Sequence, residues 1–297
     1  MPDLAHARSL LFVPAHRPER IDKALASGAD AVIVDLEDAV APQAKDEARA
    51  ALRGWLAQAG PDTSVVVRIN GVHSPWFDED VALCRAPGVQ AVMLPKAGQD
   101  CAVSHGTHRL DAQVLEEALP GKPILALVES AEGIDRLREL CRVPGVRRLA
   151  LGGIDLALDL GLDLGLNLGS DASTSGPEDQ PADDPLAWCK AQLVLHSRLA
   201  QLPPPVDGVS TAIDDAGLLS RDARRARQLG FAGKLCIHPR QVAVVQQAFS
   251  ASPQERAWAQ RVVAAAQAAG GAAVAVDGRM VDLPVLRRAQ ALLQAAG

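Results

Sequence analysis

Most of the side chains able to do chemistry stand where short apolar runs end. One run leads into Asp35, Leu36, Glu37 and Asp38, a second into Arg68, Ile69 and Asn70, a third into Pro95 and Lys96, and a fourth into Glu129 and Ser130. Further runs deliver Gly152, Gly153, Ile154 and Asp155, then Cys236 to His238, while Asp207 and Ser210 frame one more. The mixture is rich in carboxylates and has His238 as its one nearby imidazole. Hard oxygen donors of this kind favour Mg²⁺ over zinc. Mg²⁺ keeps several waters and takes one or two protein carboxylates, a role that suits Glu129 and Asp155, with Glu37 and Asp38 holding metal-bound waters. The same acids could instead close a buried ion network with Arg68 and Lys96. Residue types alone leave both readings open.

A covalent nucleophile is poorly supported. Ser130 and Ser210 lack a G-x-S-x-G elbow, Cys236 reads as a core thiol despite His238 two residues on, and Lys96 reads as a charge partner for a carboxylate or phosphate. Metal-assisted electrophilic chemistry on an oxyanionic substrate is what this set of groups would do.

Eight elements must carry these residues. β-branched runs predict strands at Ser9–Val13, Ala31–Asp35, Ser64–Ile69, Gln90–Leu94, Ile124–Val128, Arg147–Leu151, Val206–Val209 and Leu235–Ile237. Between them, helices are expected at Pro18–Ser27, Lys45–Gln58, Val114–Ala118, Ile134–Cys141, Leu186–Leu199 and Asp222–Leu229, the last capped by Ser220 and ended by Gly230. Eight βα repeats predict an α/β protein of the (β/α)8 TIM-barrel class, in which the C-terminal ends of the strands converge on one mouth. An open doubly wound sheet would want G-x-G-x-x-G or G-x-x-x-x-G-K-[ST], and neither occurs. The segment Ser170–Asp184 reads as a loop after strand six, equally an active-site lid or a tolerated insertion. Residues 1–249 complete the barrel. Residues 250–297 form a C-terminal extension of helices around a short strand and turn, expected to pack on a neighbouring subunit.

Composition narrows the partners. In 297 residues, 30 Lys and Arg face 36 Asp and Glu, a net charge of −6, so bulk attraction to nucleic acid is not expected. Aromatic residues make up 3% and Tyr is absent, which leaves little for stacking bases. No apolar run approaches a membrane span, and the first residues lack the apolar core of a secretory signal. Five scattered cysteines without a C-x-x-C fit a reducing, cytoplasmic compartment.

The motifs also carry a resemblance. The stretch Arg8-Ser9-Leu10-Leu11-Phe12-Val13-Pro14-Ala15, followed by Val34-Asp35-Leu36-Glu37-Asp38-Ala39-Val40, closely resembles the start of the citrate lyase beta-subunit-like family within the HpcH/HpaI aldolase group. Val67-Arg68-Ile69-Asn70, Leu94-Pro95-Lys96, Val128-Glu129-Ser130, Gly152-Gly153-Ile154-Asp155-Leu156, Ile237-His238-Pro239 and Gly278-Arg279-Met280-Val281-Asp282 follow in that family's order. The resemblance implies a Mg²⁺-dependent lyase acting on a CoA-thioester substrate of the malyl-CoA or citramalyl-CoA type. Alternatives are the beta subunit of a multi-subunit citrate lyase working on a citryl thioester of an acyl carrier protein, a CoA-independent pyruvate aldolase, and a catalytically silent scaffold. It further implies Glu129 and Asp155 as metal ligands, Arg68 as a substrate contact, and Asp282 as an acid/base delivered by a neighbouring subunit of a homotrimer. The acidic Ser170–Asp184 segment and Trp188-Cys189-Lys190 depart from the family's pattern.

Overall fold

In the computed structural model, residues 4–60, 63–103, 107–163, 184–270 and 272–294 are described. The chain separates into two compact units, Met1–Val245 and Gln246–Gly297.

The first unit opens with β1 (Ser9–Pro14), α1 (Pro18–Leu25), β2 (Ala31–Asp35), α2 (Lys45–Gln58), β3 (Val65–Arg68), α3 (Phe77–Leu83) and β4 (Val89–Leu94). A hairpin, β5 (Asp100–Val103) and β6 (Thr107–Leu110), leads into α4 (Asp111–Ala118). The chain continues through β7 (Ile124–Val128), α5 (Ala131–Asp135), α6 (Leu137–Leu140), β8 (Val146–Leu151), α7 (Gly153–Asp159), α8 (Ala187–Leu199), β9 (Val206–Asp207), α9 (Ala216–Leu229), β10 (Gly233–Cys236) and α10 (Pro239–Phe249). β1, β2, β3, β4, β7, β8, β9 and β10 pair in parallel and close into a barrel, the hairpin standing apart as its own two-stranded sheet. The architecture is that of a (β/α)8 TIM barrel, and each of the eight expected strands is one of its staves.

Alternation of side chains along a strand decides what the barrel encloses. Leu10, Ile33, Val66, Met93, Leu125, Leu127, Ala150, Val206 and Leu235 form one buried cluster, the barrel interior. Two residues further along the same faces come Phe12, Asp35, Arg68, Glu129 and Gly152. The interior is therefore apolar at depth and turns ionic at its C-terminal end. Asp207 and Lys234 fall on the opposite parity and form a buried salt bridge of 2.6 Å. Asp207 thus leaves the group that was expected to gather at the mouth.

Several elements differ from the expectation. The β5–β6 hairpin, α3 and α7 are additional. α9 begins at Ala216, six residues before Asp222, because the Asp215 carboxylate caps it by accepting from Leu218 N at 2.8 Å. Ser220 is accordingly inside the helix rather than at its cap, while Gly230 does end it. Cys84, Cys101, Cys141, Cys189 and Cys236 are free and buried. Burial pushes the Cys236 thiol up to about 12, as a core thiol requires. No helix among the described residues is long and apolar enough to cross a membrane. Residues 170–183 of the expected loop lie outside the described residues.

The second unit holds α11 (Pro253–Ala268), an antiparallel hairpin of β11 (Val274–Val276) and β12 (Arg279–Val281), and α12 (Leu283–Gln294). A capping box between Ser252 and Glu255 starts α11. Asp277 and Gly278, both at positive φ, make the two-residue turn that Asp-Gly favours. Ala259, Val262, Val276, Val281 and Ala289 form its small core.

Candidate active site

The barrel mouth holds a cavity of about 390 Å³. Phe12, Asp35, Asp38, Arg68, Glu129, Gly152 and Asp155 are among the residues lining it. The register of β2 on β3 places Asp35 directly beside Arg68. Arg68 Nε donates to Asp35 Oδ1 at 2.7 Å and Nη2 to Oδ2 at 2.5 Å, a bidentate fork. The remaining Nη1 lies 3.1 Å from Glu37 Oε2 and 3.6 Å from Asp38 Oδ2. The guanidinium also packs over the Phe12 ring, 4.8 Å from its centroid. Asp35 anchors the following loop as well, accepting from the backbone N–H groups of Glu37 and Ala39 at 2.8 and 3.0 Å. Arg68 is thereby fixed in plane, and only one of its edges faces the acids of the mouth.

Glu129 is 4% exposed. Its Oε1 accepts from the backbone N–H of Lys96 at 2.8 Å. Lys96 presents that N–H from a left-handed conformation, φ 47°, uncommon for a residue with a side chain. The Lys96 side chain itself is exposed. Its backbone therefore holds Glu129 directly, a role its residue type did not suggest. Gly152 completes the cradle. A Cβ there would overlap both the Cβ and the Oε2 of Glu129, so only glycine leaves room for this carboxylate.

Asp155 sits in the first turn of α7, rather than in a loop, and lines the same cavity. Burial, foremost, and then the Glu37 and Asp155 carboxylates push Glu129 up to about 8, against the Lys96 N–H and Arg68. Burial, opposed by Arg68 and reinforced by Asp38 and Asp35, pushes Glu37 up to about 7. Five acids (Asp35, Glu37, Asp38, Glu129 and Asp155) share this mouth with Arg68 and the more distant Lys96. The site is short of positive charge.

Not every expected residue of the first unit joins it. The His238 ring caps α10, its Nδ1 accepting from Arg240 N at 3.2 Å. Ser130 caps α5, accepting from Gly133 N at 3.1 Å. Asp282 lies in the second unit at the start of α12, where its Oδ1 accepts from Val285 N at 3.2 Å. Asp35, within the acidic run, and Gly152, within the Gly-Gly pair, are the residues whose part in the site the sequence reading left unassigned.

The HpcH/HpaI aldolase/citrate lyase model matches residues 8–239, and a model of C–C bond lyases of the TIM-barrel fold matches residues 195–296. The chain belongs to the HpcH/HpaI aldolase/citrate lyase family. Within it, the chain is 35% identical to a citrate lyase subunit beta-like protein of Deinococcus radiodurans, over 96% of each chain. It is 33% identical to an L-malyl-CoA/beta-methylmalyl-CoA lyase of Cereibacter sphaeroides, covering 97% of this chain and 94% of the relative. Among solved structures, the Mycobacterium tuberculosis protein CitE in complex with magnesium, acetoacetate and coenzyme A superposes with a TM-score of 0.80. It shares 34% identity with this family member and covers 99% of this chain and 100% of its own.

Proposed function

We propose that the protein is a Mg²⁺-dependent carbon–carbon lyase. It cleaves, or forms, a short 3-hydroxyacyl-CoA thioester of the citramalyl-CoA or malyl-CoA type, with an oxo acid and acetyl-CoA as the other side of the reaction. The observation that carries this reading is the buried Glu129 beside Asp155 in an acid-rich cavity lined by Arg68, a cation already forked to Asp35.

The donor set fits Mg²⁺. It is all oxygen, its charge is in excess, and Gly152 leaves space beside Glu129. Among the described residues no three His, Cys, Asp or Glu side chains converge on one point, so the protein alone would not fill the shell of a metal. Two carboxylates, with waters or substrate oxygens elsewhere, is the usual arrangement for Mg²⁺. Glu129 and Asp155 would hold the ion, with Glu37 and Asp38 around its waters. When bound, the ion supplies Lewis-acid polarisation of the oxo-acid oxygens. Arg68, through its Nη1 edge, binds the substrate carboxylate or thioester oxygen and neutralises charge that develops there. Lys96, whose ammonium extends outward, meets an anionic part of the substrate.

Asp282 protonates the enolate carbon of the leaving thioester, or removes that proton in the condensing direction. We place it in the mouth of a neighbouring subunit's barrel, within a homotrimer. Two features of the second unit support this. Exposed Met280 and Leu283, at 70% and 56%, flank Asp282. Residues 246–297 hold five Arg against three acids, a net +2, which leaves −8 for residues 1–245. A basic tail is suited to an acidic mouth.

Incubating the purified protein with citramalyl-CoA, malyl-CoA and citryl-CoA and identifying the products tests the reading. Acetyl-CoA with pyruvate or glyoxylate is the expected result. Turnover of the citryl thioester alone would favour a citrate lyase beta subunit, and inertness toward all three would overturn the proposal.

Arg68→Lys should lower kcat/KM by about tenfold or more, because an ammonium cannot keep the fork to Asp35 and offer a second edge at once. That matches the loss of one charged hydrogen bond of roughly 1.5–3 kcal/mol. Unchanged steady-state constants would leave Arg68 a purely structural partner of Asp35.

Stability should report the metal as well. Glu129 and Glu37 hold protons more tightly in the folded chain, at about 8 and about 7, than at their ordinary value of 4.5. Between about pH 5 and 8 the folded state therefore binds more protons than the unfolded one, and metal-free stability falls as pH rises. Bound Mg²⁺ opposes that loss. Added Mg²⁺ should raise the melting temperature more at pH 8 than at pH 6. An equal effect at both pH values would mean that the ion binds elsewhere.

A further inference from the structure

The loop that carries Glu37 and Asp38 has to turn its carboxylates toward Arg68 while its own carbonyls point somewhere else. Those carbonyls meet a buried cation. Lys45, in the first turn of α2, is 5% exposed, and its Nζ donates to Leu36 O and Glu37 O, both at 2.7 Å. The ammonium lies 5.2 Å from the centre of the Trp76 ring, which closes it off on one side. Asn70, just past β3, adds a donor to the same Leu36 carbonyl at 3.1 Å. Asp80 fixes Asn70 by accepting from its side chain at 2.6 Å and from its backbone N–H at 2.9 Å. Arg49, one turn along α2 from Lys45, holds the other oxygen of Asp80 at 3.1 Å. The opposite side of the loop is held by Asp35, through the N–H groups of Glu37 and Ala39.

We infer that Lys45 is a positioning residue for the active-site acids: its buried ammonium orients the Leu36–Glu37 peptides, and through them places Glu37 and Asp38 against Arg68. This deepens the proposed lyase function and rests on it for any effect on turnover. A charge buried on a helix face is costly unless it is matched, and here two carbonyls and an aromatic face match it.

Lys45→Met removes the donors and keeps the stem; Lys45→Arg restores a cation with several donors. For the thioester that the wild-type protein turns over, Lys45→Met should lower kcat tenfold or more with KM within about twofold, and Lys45→Arg should recover most of kcat. Hydrogen exchange of the Glu37 and Ala39 amides is measured on the same proteins, so that the positioning claim is read even if no thioester is turned over. Those amides should exchange at least tenfold faster in Lys45→Met, at unchanged global melting temperature, and return toward wild type in Lys45→Arg. A folded Lys45→Met protein with wild-type amide protection and wild-type kcat would overturn the inference. So would a uniform loss of stability that Lys45→Arg fails to rescue. Wild-type protein inert toward the thioesters, with amides that still respond to Lys45→Met, would refute the lyase reading and leave the positioning role standing.

Discussion

Glu129→Gln and Asp155→Asn are each expected to reduce turnover by about 100-fold or more while leaving the barrel folded. The bound comes from the cost of losing a partner one layer outside a metal, about 10–100-fold; a direct ligand should cost at least the upper end. Each change removes one formal charge and nearly preserves shape, so packing around Gly152 is unaffected. If these carboxylates hold the ion as proposed, metal affinity and turnover should fall together. Titration calorimetry with Mg²⁺, or electron resonance with Mn²⁺ in its place, supplies the first quantity, and thioester cleavage the second. A variant that loses turnover with undiminished metal affinity would move the ion away from these two carboxylates.

Asp282→Asn should abolish most turnover in a different way. The amide keeps an oxygen that can accept from Val285 N, so the start of α12 should be preserved. It cannot exchange a proton with the enolate carbon. Mg²⁺ binding should therefore remain at the wild-type level while kcat collapses, whereas in Glu129→Gln both should fall. If the second unit of one chain completes the barrel of another, the two inactive variants are complementary. Mixing Asp282→Asn chains with Glu129→Gln chains, after verified subunit exchange, should regenerate part of the activity at interfaces that pair two intact halves. No recovery after exchange would mean that Asp282 serves its own barrel or takes no part in the proton transfer.

How much of this could be read from the sequence depends on which physical rule fixed each residue. The eight staves were legible because strands buried on both faces are apolar nearly throughout, and β2, Ala31–Asp35, is buried at every position. Period-two alternation then carries Asp35, Arg68 and Glu129 to the mouth without further information. Asp207 broke the reading because β9 has only two residues, too few to show which face is inward. The helix that holds Asp155 was hidden by the two glycines at its entrance, which are poor helix formers. α3, with the sequence Phe-Asp-Glu-Asp-Val-Ala-Leu, looks like a solvated acidic turn, yet its Asp80 is buried under Arg49. Lys45 and Arg49 are hidden in the sequence for the same reason. Charges spaced four apart on a helix ordinarily face water, and here Lys45 faces the acid loop while Arg49 faces Asp80 of α3. The residue type of Lys96 points to its ammonium, although its backbone N–H is what touches Glu129.

Metal-assisted cleavage at the Glu129–Asp155 mouth, as proposed, is tested most directly by one measurement. The protein is exhaustively stripped of divalent ions, and its turnover of the thioester substrate is followed before and after Mg²⁺ is returned. Activity should vanish on stripping and come back with Mg²⁺ in the wild-type protein, and should not come back in Glu129→Gln. Full turnover by the stripped wild-type protein would contradict the assignment of the site.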